Sequence, residues 1–371
     1  MATTKKKTVF VGMSGGVDSS VTAAILKYGR PSLPAGRQDY DIVGVHLRCW
    51  NIDGCAEQDA EDARRASETL GIPFYVFDFE REYKERVVEY MVDGYRRGIT
   101  PNPDVMCNSQ IKFGLFYDRA LKMGADYIAT GHYVRLKRLR TKHYVLSTAR
   151  DPDKDQSYFL WTLTQEQLAH CLFPLGDLIK KTEVRKLAKK YKLPNADKKD
   201  SQGVCFLGQI SLPEFLAGFI PDKQGKIVDI SGKELGQHTG AHHFTIGQRK
   251  GLGVGGFAKP QYVAKKDIKT NTVTLAPESD PSLYASSVEL TDLNVIDNSY
   301  SNVLKNIGIR VLARIRYRQP LFGAKLEKGK KKKEWLLTFD HPQKFIAPGQ
   351  SAVMYDAKGK MLGGGIIKNA K

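Results

Sequence analysis

The stretch FVGMSGGVDSS, residues 10–20, interrupts a β-rich run at glycine and continues into SSVTAAIL, which has the composition of a helix. Glycines let the backbone approach a ligand closely, and the start of a helix offers N–H groups and a positive dipole end. Ser14, Ser19 and Ser20 add hydroxyl groups, and Asp18 suits the first helical turn. The spacing matches neither the Walker A pattern nor G-x-G-x-x-G. The stretch therefore predicts a phosphate-binding turn, the alternative being a tight turn that needs glycine for its backbone alone.

The same residues, SGGVDSS at 14–20, resemble the PP-loop of the ATP pyrophosphatases. The resemblance implies an enzyme that cleaves ATP between its α and β phosphates, transfers AMP to an oxygen of its substrate and releases pyrophosphate. Amide-forming ligases, lysidine-forming enzymes and thiolating enzymes share this loop, so the loop alone does not distinguish these classes of enzyme.

A chain of 371 residues is too long for one ordinary domain and predicts two or three. The hydrophobic fraction of 41% is that of a globular protein, and no run of about 18 apolar residues is present to span a bilayer. The N-terminal MATTKKKTVF passes into a predicted strand without the apolar segment of a signal peptide. These features lead us to expect a cytoplasmic protein.

The chain carries a formal net charge of +18, from 58 basic and 40 acidic residues. An excess of this size favours a polyanionic partner over a purely solubilising role. Nucleic acid is the first expectation. An anionic membrane is the weaker one, because no basic amphipathic helix stands out.

Residues 1–210 alternate strand-like and helix-like segments, with helices predicted to end at Gly71 and Gly124. This alternation predicts an α/β fold with an N-terminal, Rossmann-like parallel sheet that binds its ligand at the carboxyl ends of the strands. The Pro- and Gly-rich segment 29–41 is predicted to be an exposed insertion without function.

Residues 211–284 become dense in glycine and predict a small mixed β domain with short strands. The longer strands of residues 285–371 predict a C-terminal β-barrel or a sandwich, and we expect the barrel.

The five cysteines, at 49, 55, 107, 171 and 205, form no CxxC pair, which argues against a structural zinc site. Cys107 lies in TPNPDVMCNSQIKF, where we expect Asn108 to cap the following helix. A helix start with Lys112 nearby favours the thiolate form, and Asp104 is a candidate general acid or base. A buried packing cysteine is the equally weighted alternative. We expect Cys49, Cys55 and Cys171 to be structural.

Cys205 lies in KKDSQGVCFLG between two glycines, a setting typical of an accessible turn. Sulfur that replaces an activated oxygen needs a carrier, normally a persulfide, and a second thiol can release that sulfur by thiol–disulfide exchange. Two candidate thiols in a chain with a PP-loop fit this need, whereas amide ligases do not require it.

At this point the chain resembles the bacterial tRNA-specific 2-thiouridylases over nearly its whole length. The shared motifs occur in the same order and are SGGVDSS, NPDVMCNSQIKF, ATGHY, DKDQSYFL, DSQGVCFLG, FTIGQRKGLG, RIRYRQP and APGQ. The two cysteine motifs are the most specific of these.

The resemblance implies a role for each matching position. ATP would be bound by Gly12, Met13, Ser14, Gly15, Gly16, Val17, Asp18, Ser19, Leu47 and Gly131. The target base would meet Asn102, Pro103 and Asp104, and the tRNA would contact His132, Lys154, Asp155, Gln156, Arg316, Tyr317 and Gln350. Cys205 would carry the persulfide and pair transiently with the nucleophile Cys107, while Asp104 assists proton transfer. Leu47 stands where the family usually has methionine, and no residue is expected to ligate a metal.

The residues give some of these roles independent support. Gly131 and His132 follow a predicted strand, where open α/β sheets bind ligands. In ARIRYRQ a strand would place Arg314, Arg316 and Arg318 on one face, which suits phosphates, although a solvated face is an equal alternative. The basic run KGKKKKEW at 328–335 predicts a solvated hairpin, and His242-His243 has no partner at metal spacing.

These observations predict ATP-dependent 2-thiolation of the wobble uridine of tRNA, with Mg²⁺ on the phosphates. The expected partners are the tRNA anticodon loop and a persulfide-donating sulfur-carrier protein or a cysteine desulfurase. The alternatives are another PP-loop activity, a non-catalytic RNA-binding module, and an iron–sulfur cluster on Cys107 and Cys205.

Overall fold

The computed structural model describes residues 6–29, 40–50, 55–141, 143–199, 210–296, 308–329 and 334–371. These residues divide into two compact units. The first takes the described residues of Met1–Val87, Asp104–Gly208 and Gly359–Met361, and the second takes those of Val88–Pro103, Gln209–Lys358 and Leu362–Lys371.

The strands of the first unit are β1 (Lys7–Gly12), β2 (Tyr40–Arg48), β3 (Phe74–Asp78), β4 (Tyr127–Ala129), β5 (Arg135–Arg138), β6 (Tyr144–Ser147) and β7 (Cys171–Leu172). Its described residues form a five-stranded sheet in the order β3-β2-β1-β4-β7, in which every pair is parallel. Val9 and Val11 of β1 are fully buried, as expected for a central strand covered on both faces. The chain moves from β1 to one side of the sheet and later to the other, so the topological switch point lies beside β1.

The α-helices of the described chain are α1 (Val17–Tyr28), α2 (Cys55–Leu70), α3 (Glu80–Tyr83), α4 (Glu89–Arg96), α5 (Pro103–Met106), α6 (Phe116–Lys122), α7 (Gln165–Ala169), α8 (Arg185–Lys190) and α9 (Leu212–Ala217). Lys84–Val88, Cys107–Leu115 and Lys180–Val184 are π-helical, and Ser157–Phe159, Ala241–His243 and Pro281–Leu283 are 3₁₀ turns. The predicted helix ends at Gly71 and Gly124 are confirmed, since both glycines have positive φ, +59° and +91°. Among the described helices, none combines the length and hydrophobicity needed to cross a bilayer.

The described residues of the second unit form two sheets. Its strands are β8 (Gly225–Asp229), β9 (Glu234–His238), β10 (Gln261–Asp267), β11 (Thr272–Pro277), β12 (Tyr284–Val295), β13 (Ile309–Arg314), β14 (Phe322–Lys328), β15 (Trp335–Lys344), β16 (Ser351–Tyr355) and β17 (Met361–Ala370). The described strands β10-β11-β8-β9 form a mixed sheet, in which β11 and β8 are parallel. Strands β12-β15-β14-β13-β16-β17 close into an antiparallel barrel. The predicted fold class, a parallel α/β sheet followed by a mixed β region and a barrel, is confirmed.

The predicted start of the helix that carries Cys107 is wrong. Asn108 does not cap this helix, because the helical segment begins at Pro103. Proline is favoured at the first position of a helix, where its missing N–H costs nothing. Cys107 therefore lies beyond the first helical turn, where the dipole effect on a thiol has largely faded.

The predicted row of arginines on one strand face is also wrong. Strand β13 ends at Arg314, and the chain then turns, with Arg318 at φ +62°. The side chain of Gln319 accepts a hydrogen bond of 3.0 Å from the N–H of Ile315 and closes this turn. Arg314 is buried against the ring of Tyr355, 5.0 Å from its centroid. Alternation along a strand therefore cannot describe these residues.

Three features predicted from the sequence lie outside the described residues in whole or in part. They are the insertion at 29–41, of which 30–39 are not described, the Cys205 motif, and 330–333 of the basic run.

Candidate active site

The turn between β1 and α1 has the geometry of a phosphate-binding loop. Gly16 occupies the N-cap of α1 in an extended conformation, so the first N–H groups of the helix point out of the turn. Gly15 has φ +73°, and a Cβ at this position would lie 2.4 Å from the backbone oxygen of Asp59 in α2. Both the backbone conformation and the close approach of α2 therefore require glycine here.

The serines of the turn have different roles. Ser19 Oγ accepts a hydrogen bond of 3.1 Å from the N–H of Ser14, and the two hydroxyl oxygens are 3.3 Å apart. Ser20 is fully buried, and both Ser19 and Ser20 donate from their hydroxyl groups to the carbonyl of Gly16, each at 3.1 Å. Ser14 is exposed and lines the cavity described below, and Ser19 lines it too although it is only 3% exposed, whereas Ser20 does not line it.

A cavity of about 330 Å³ opens beside this turn at the carboxyl edge of the sheet. Its size falls within the range of about 300–1,000 Å³ that is usual for small-molecule sites. The predicted site residues that line it are Gly12, Met13, Ser14, Asp18, Ser19, Leu47, Cys107, Gly131, His132 and Gln156. Gly15, Gly16 and Val17 belong to the turn but do not line the cavity, and Val17 is 3% exposed in the core. The alternative interpretation was a tight turn that needs glycine for its backbone alone. Such a turn would not require so many of the predicted site residues to line one cavity.

Cys107 brings a thiol to the wall of the cavity, although only 4% of the residue is exposed. It is the first residue of the π-helical stretch Cys107–Leu115, a distortion that is common at functional sites. Lys112 of the same stretch also lines the cavity. Burial raises the pKa of Asp104, one turn before Cys107, and the charge of Lys112 lowers it in part. Asp104 is not among the residues that line the cavity.

His132 forms another part of the wall as a neutral imidazole. Its Nδ1 lies 2.8 Å from Thr130 Oγ1, and its ring packs against Phe113 and Phe173. Burial holds the pKa of His132 well below its ordinary value, and the charge of Lys112 acts in the same direction. The ring is therefore uncharged at neutral pH.

Sequence reasoning missed the residues that fix Asp18. Tyr133 donates a hydrogen bond of 2.7 Å from its hydroxyl to Asp18 Oδ1, and Lys180 donates to the same oxygen. Lys180 is 3% exposed, which is exceptional for lysine. Asn195 donates to the carbonyl of Gly15 at 2.8 Å. No local signal marks these residues, because only the fold reveals their burial.

Sequence reasoning also missed residues near the carboxyl end of β2 and just after it. His46, Cys49 and Trp50 line the cavity, and Nδ1 of His46 lies 3.0 Å from the carbonyl oxygen of Met13. Burial lowers the pKa of His46. These residues could have been found, because the carboxyl ends of parallel strands share one edge. Cys49, which we expected to be structural, faces the cavity, whereas Cys171 is buried in β7 with a pKa raised by burial.

The remaining predicted residues of the first unit support the loop before Ser157–Phe159. Asp155 is 4% exposed and accepts hydrogen bonds from the N–H groups of Ala149 and Ser157, at 3.1 and 3.2 Å. Gln156 accepts a hydrogen bond of 3.0 Å from the N–H of Tyr133 and also lines the cavity. Lys154 is half-buried and does not line it.

Five predicted residues belong to the second unit. Gln350 donates from its side chain to the carbonyls of Thr100 and Pro101, at 3.0 and 3.1 Å, just before Asn102 and Pro103. Arg316 donates to the carbonyl of Ile246 at 2.5 Å. Tyr317 lies beneath the guanidinium of Arg318, 5.1 Å from the ring centroid. The five residues are Asn102, Pro103, Arg316, Tyr317 and Gln350.

Comparison with known proteins matches three consecutive segments of the chain. Residues 7–209 match a family described as "tRNA methyl transferase HUP domain", residues 213–277 a "tRNA methyl transferase PRC-barrel domain", and residues 290–367 an "Aminomethyltransferase beta-barrel domain".

Full-length relatives carry a more specific name. The tRNA-specific 2-thiouridylase MnmA of Akkermansia muciniphila is 45% identical over 97% of this chain and 98% of its own length. The enzymes of the same name from Pediococcus pentosaceus and Shouchella clausii are each 41% identical, over 100% and 97% of this chain and 97% and 96% of their own lengths. The resemblance inferred from the sequence motifs is confirmed, and the chain belongs to the tRNA-specific 2-thiouridylase family.

Proposed function

We propose that this protein replaces oxygen by sulfur at carbon 2 of the wobble uridine of tRNA, in an ATP-dependent reaction. The full-length relatives are named for thiolation of tRNA uridine, which supports the reaction class. The observation that carries the proposal is that the Cys107 thiol and the PP-loop line one cavity. The nucleotide that activates O2 and the thiol that releases the sulfur would then act on the same carbonyl group of the base.

The first step is adenylation. The uridine O2 attacks the α phosphate of ATP, pyrophosphate leaves, and the carbon–oxygen bond becomes easy to break. Gly12 to Ser19 would hold the phosphates through backbone N–H and hydroxyl groups, with Leu47 and Gly131 completing the nucleotide site. A Cβ at Gly131 would lie 2.9 Å from the backbone nitrogen of Ser19, so a larger residue would crowd the first turn of α1.

Magnesium would bind chiefly to the ATP phosphates, since Mg²⁺ keeps several waters and takes few protein ligands. Asp18 and Asp59 line the cavity, and their second carboxylate oxygens would suit such an ion, since Oδ1 of each already accepts hydrogen bonds from the protein. Its chemistry there would be to neutralise charge on the leaving pyrophosphate.

The second step is sulfur transfer from a persulfide on Cys205. In one route the terminal sulfur attacks carbon 2, AMP leaves, and the Cys107 thiolate then attacks the Sγ of Cys205. That attack releases the thiolated base and forms a Cys107–Cys205 disulfide, which an external thiol reduces. In the other route Cys107 attacks the persulfide first, and the hydrosulfide that it releases displaces AMP. Asp104 would assist proton transfer in either route.

Recognition of the tRNA would use both units. Asn102, Pro103 and Asp104 would meet the flipped base, which an anticodon loop presents at low cost. The other proposed contacts are His132, Lys154, Asp155, Gln156, Arg316, Tyr317 and Gln350. Gln350 would act partly by fixing the backbone before Asn102.

At the level of domains, we propose that residues 1–210 adenylate and thiolate, that residues 211–284 form the central β domain, and that the barrel of residues 285–371 contacts tRNA. The net charge of +18 supports a polyanionic substrate. The sulfur would arrive from a persulfide-donating carrier protein or a cysteine desulfurase, in the cytoplasm.

The test is to incubate the protein with ATP, magnesium, a persulfide donor and unthiolated tRNA, followed by mass analysis of the nucleosides. We expect uridine to gain one sulfur in exchange for one oxygen. Cys107→Ser and Cys205→Ser should lose this product yet still release pyrophosphate when tRNA is present. Cys171→Ala, which removes a buried thiol that does not line the cavity, is the matched control and should stay active.

The same experiment separates the rival activities. Methyl transfer, which the names of the matched families mention, would add a methylene unit and would not consume ATP. An amide ligase or another PP-loop enzyme would leave both cysteine variants active. An RNA-binding module would release no pyrophosphate. Any of these results would contradict the proposal.

A further inference from the structure

Three side chains of the second unit meet at one point away from the proposed active site. Asp222 lies in the connection between α9 and β8, and His242 and His243 lie in the 3₁₀ turn Ala241–His243. One potential ligand atom from each of the three lies within 4.8 Å of the other two. His242-His243 has no partner at metal spacing along the sequence, but the fold brings Asp222 beside the two histidines from another connection.

The three side chains are already in contact. His243 Nε2 lies 2.8 Å from Asp222 Oδ1, and the centroids of the two imidazole rings are 4.0 Å apart. The side chain of His243 is 9% exposed and that of Asp222 is 47% exposed. The imidazoles therefore sit at the bottom of the cluster, while the carboxylate leaves an approach open to solvent.

The cluster contains ring nitrogens that nothing in the described chain satisfies. His242 is 7% exposed, and its Nε2 is buried without a hydrogen-bond partner among the described residues. The same holds for His243 Nδ1. A buried polar atom left unpaired is destabilising, and buried polar atoms usually have a partner in the protein, in ordered water or in a bound ion.

The charged groups around His242 act on it in opposite directions, since the Asp222 carboxylate favours a cation there and the Lys266 ammonium group disfavours one. Burial, together with the charge of His243, lowers the pKa of His242 to about 4. Lys266 acts on His242 in the same direction, and it is the nearby cation that opposes metal binding. Burial lowers the pKa of Lys266 itself to about 8, and its ammonium group donates to the carbonyl of Phe244 at 2.6 Å. His238 adjoins the cluster, with Nδ1 accepting the N–H of Gly240 at 2.9 Å.

We propose that Asp222, His242 and His243 bind one divalent transition-metal ion, with zinc preferred, and that water completes the coordination. Two imidazoles and one carboxylate suit Zn²⁺, Co²⁺ and Ni²⁺, whereas Mg²⁺ prefers oxygen ligands throughout. In a tetrahedral zinc site the ligand atoms are about 3.4 Å apart, so the Asp222–His243 contact must open and His242 must approach. The bound ion would tie the connection before β8 to the 3₁₀ turn after β9. This site is independent of the proposed thiolation.

The experiment is a titration of the full chain with Zn²⁺ and, separately, with Co²⁺, together with thermal unfolding in each metal. We expect Zn²⁺ to bind at this site and to raise the Tm, because a ligand that binds only the folded state stabilises it. The Co²⁺ complex should show the absorption of nitrogen and oxygen ligands without a thiolate-to-metal band. Mg²⁺ should produce neither effect.

Two variants decide where the ion binds. Asp222→Asn changes an exposed side chain and should leave the fold intact, and His243→Gln removes an imidazole. Each should weaken Zn²⁺ binding by more than about tenfold, since loss of even a supporting partner of a metal ligand typically costs this much. His143→Gln, an exposed histidine of the first unit, is the matched control and should bind as the unchanged protein does. Equal affinity in Asp222→Asn and the unchanged protein, or a Co²⁺ spectrum of thiolates that disappears in Cys107→Ser, would overturn the proposal.

Discussion

At the scale of single residues, Gly15 is the position where backbone conformation and packing impose the same requirement. Its φ of +73° disfavours any side chain, and a Cβ would meet the carbonyl oxygen of Asp59 at 2.4 Å. Gly124 has a similar φ of +91°, but a Cβ there would meet nothing within 4 Å. Substitutions at the two glycines therefore distinguish the free-energy cost of a left-handed backbone from that of the steric clash with Asp59.

We predict that Gly124→Ala costs about 1–2 kcal/mol, the penalty of a left-handed residue alone. Gly15→Ala should cost more, because α2 must also move away from the loop. Chemical denaturation measures the stability of both variants, and pyrophosphate release measures their use of ATP. Gly15→Ala should raise the KM for ATP while Gly124→Ala leaves it unchanged. Equal effects of the two variants on stability and KM would contradict this account of the loop.

Asp104 presents a conflict between stability and function. Burial raises its pKa, which means that the folded protein holds this proton more tightly than the unfolded chain does. The resulting destabilisation is absent below the unfolded pKa, grows as the pH rises through the folded pKa, and is complete above it. Each unit by which the pKa is raised corresponds to about 1.4 kcal/mol.

We therefore predict that Asp104→Asn is more stable than the unchanged protein at about pH 8, and that the difference shrinks as the pH falls toward about 4. Denaturation curves over this range measure the effect, with the exposed Asp197→Asn as the control. If Asp104 moves a proton in the reaction, the stabilised variant should nevertheless lose thiolation. If Asp104→Asn is less stable than the unchanged protein at pH 8, the predicted effect on stability is wrong. If the variant is fully active, Asp104 does not move a proton in the reaction.

At the scale of elements, the sequence was informative wherever local rules decide the structure. The loop after β1, the helix ends at Gly71 and Gly124, and the placement of Gly131 at a strand end all follow from the chemistry of glycine and from the alternation of strands and helices. The start of α5 was misjudged because proline is compatible both with extended chain and with the first helical position.

Long-range packing accounts for the site residues that the sequence did not reveal. Lys180 and Asn195 reach the PP-loop from segments more than 150 residues away along the chain, and neither lies in a motif. The end of β13 at Arg314 depends on the turn that Gln319 closes, which alternation of side chains cannot show. Such contacts depend on tertiary structure rather than on local propensity.

The contact between Gln350 and the backbone before α5 gives a prediction for a whole segment. Its side-chain amide satisfies two carbonyls, those of Thr100 and Pro101, so Gln350→Leu leaves both without this donor. We expect a loss of roughly 1–3 kcal/mol in the free energy of unfolding, the usual cost of an unsatisfied buried group. Gln237→Leu, at an exposed position, is the control and should change stability little.

The functional readout distinguishes two roles for Gln350. If it fixes the segment that carries Asn102 and Pro103, Gln350→Leu should lower the rate of thiolation with tRNA bound as well as the affinity for tRNA. A residue that contacts only tRNA would change the KM for tRNA and leave both the saturated rate and the stability as they were. The second pattern would show that the backbone contact is incidental.

At the scale of the whole molecule, the net charge of +18 makes a prediction that needs no single residue. Each tRNA phosphate that the protein neutralises releases counterions, so the logarithm of the binding constant should fall linearly with the logarithm of the salt concentration, with a slope of roughly 0.7–0.9 per phosphate. We expect tRNA binding to show a slope that corresponds to several phosphates.

The KM for ATP, measured with saturating tRNA, should depend on salt much less, because the site proposed for ATP is a cavity whose hydrogen-bond donors are mainly backbone groups and short side chains. Filter-binding titrations between about 50 and 200 mM salt measure the affinity for tRNA, and pyrophosphate release measures the KM for ATP. A flat response of tRNA binding would mean that the basic excess serves solubility and that the tRNA is recognised through uncharged contacts. An equally steep response of both quantities would instead point to a general effect of salt on the fold.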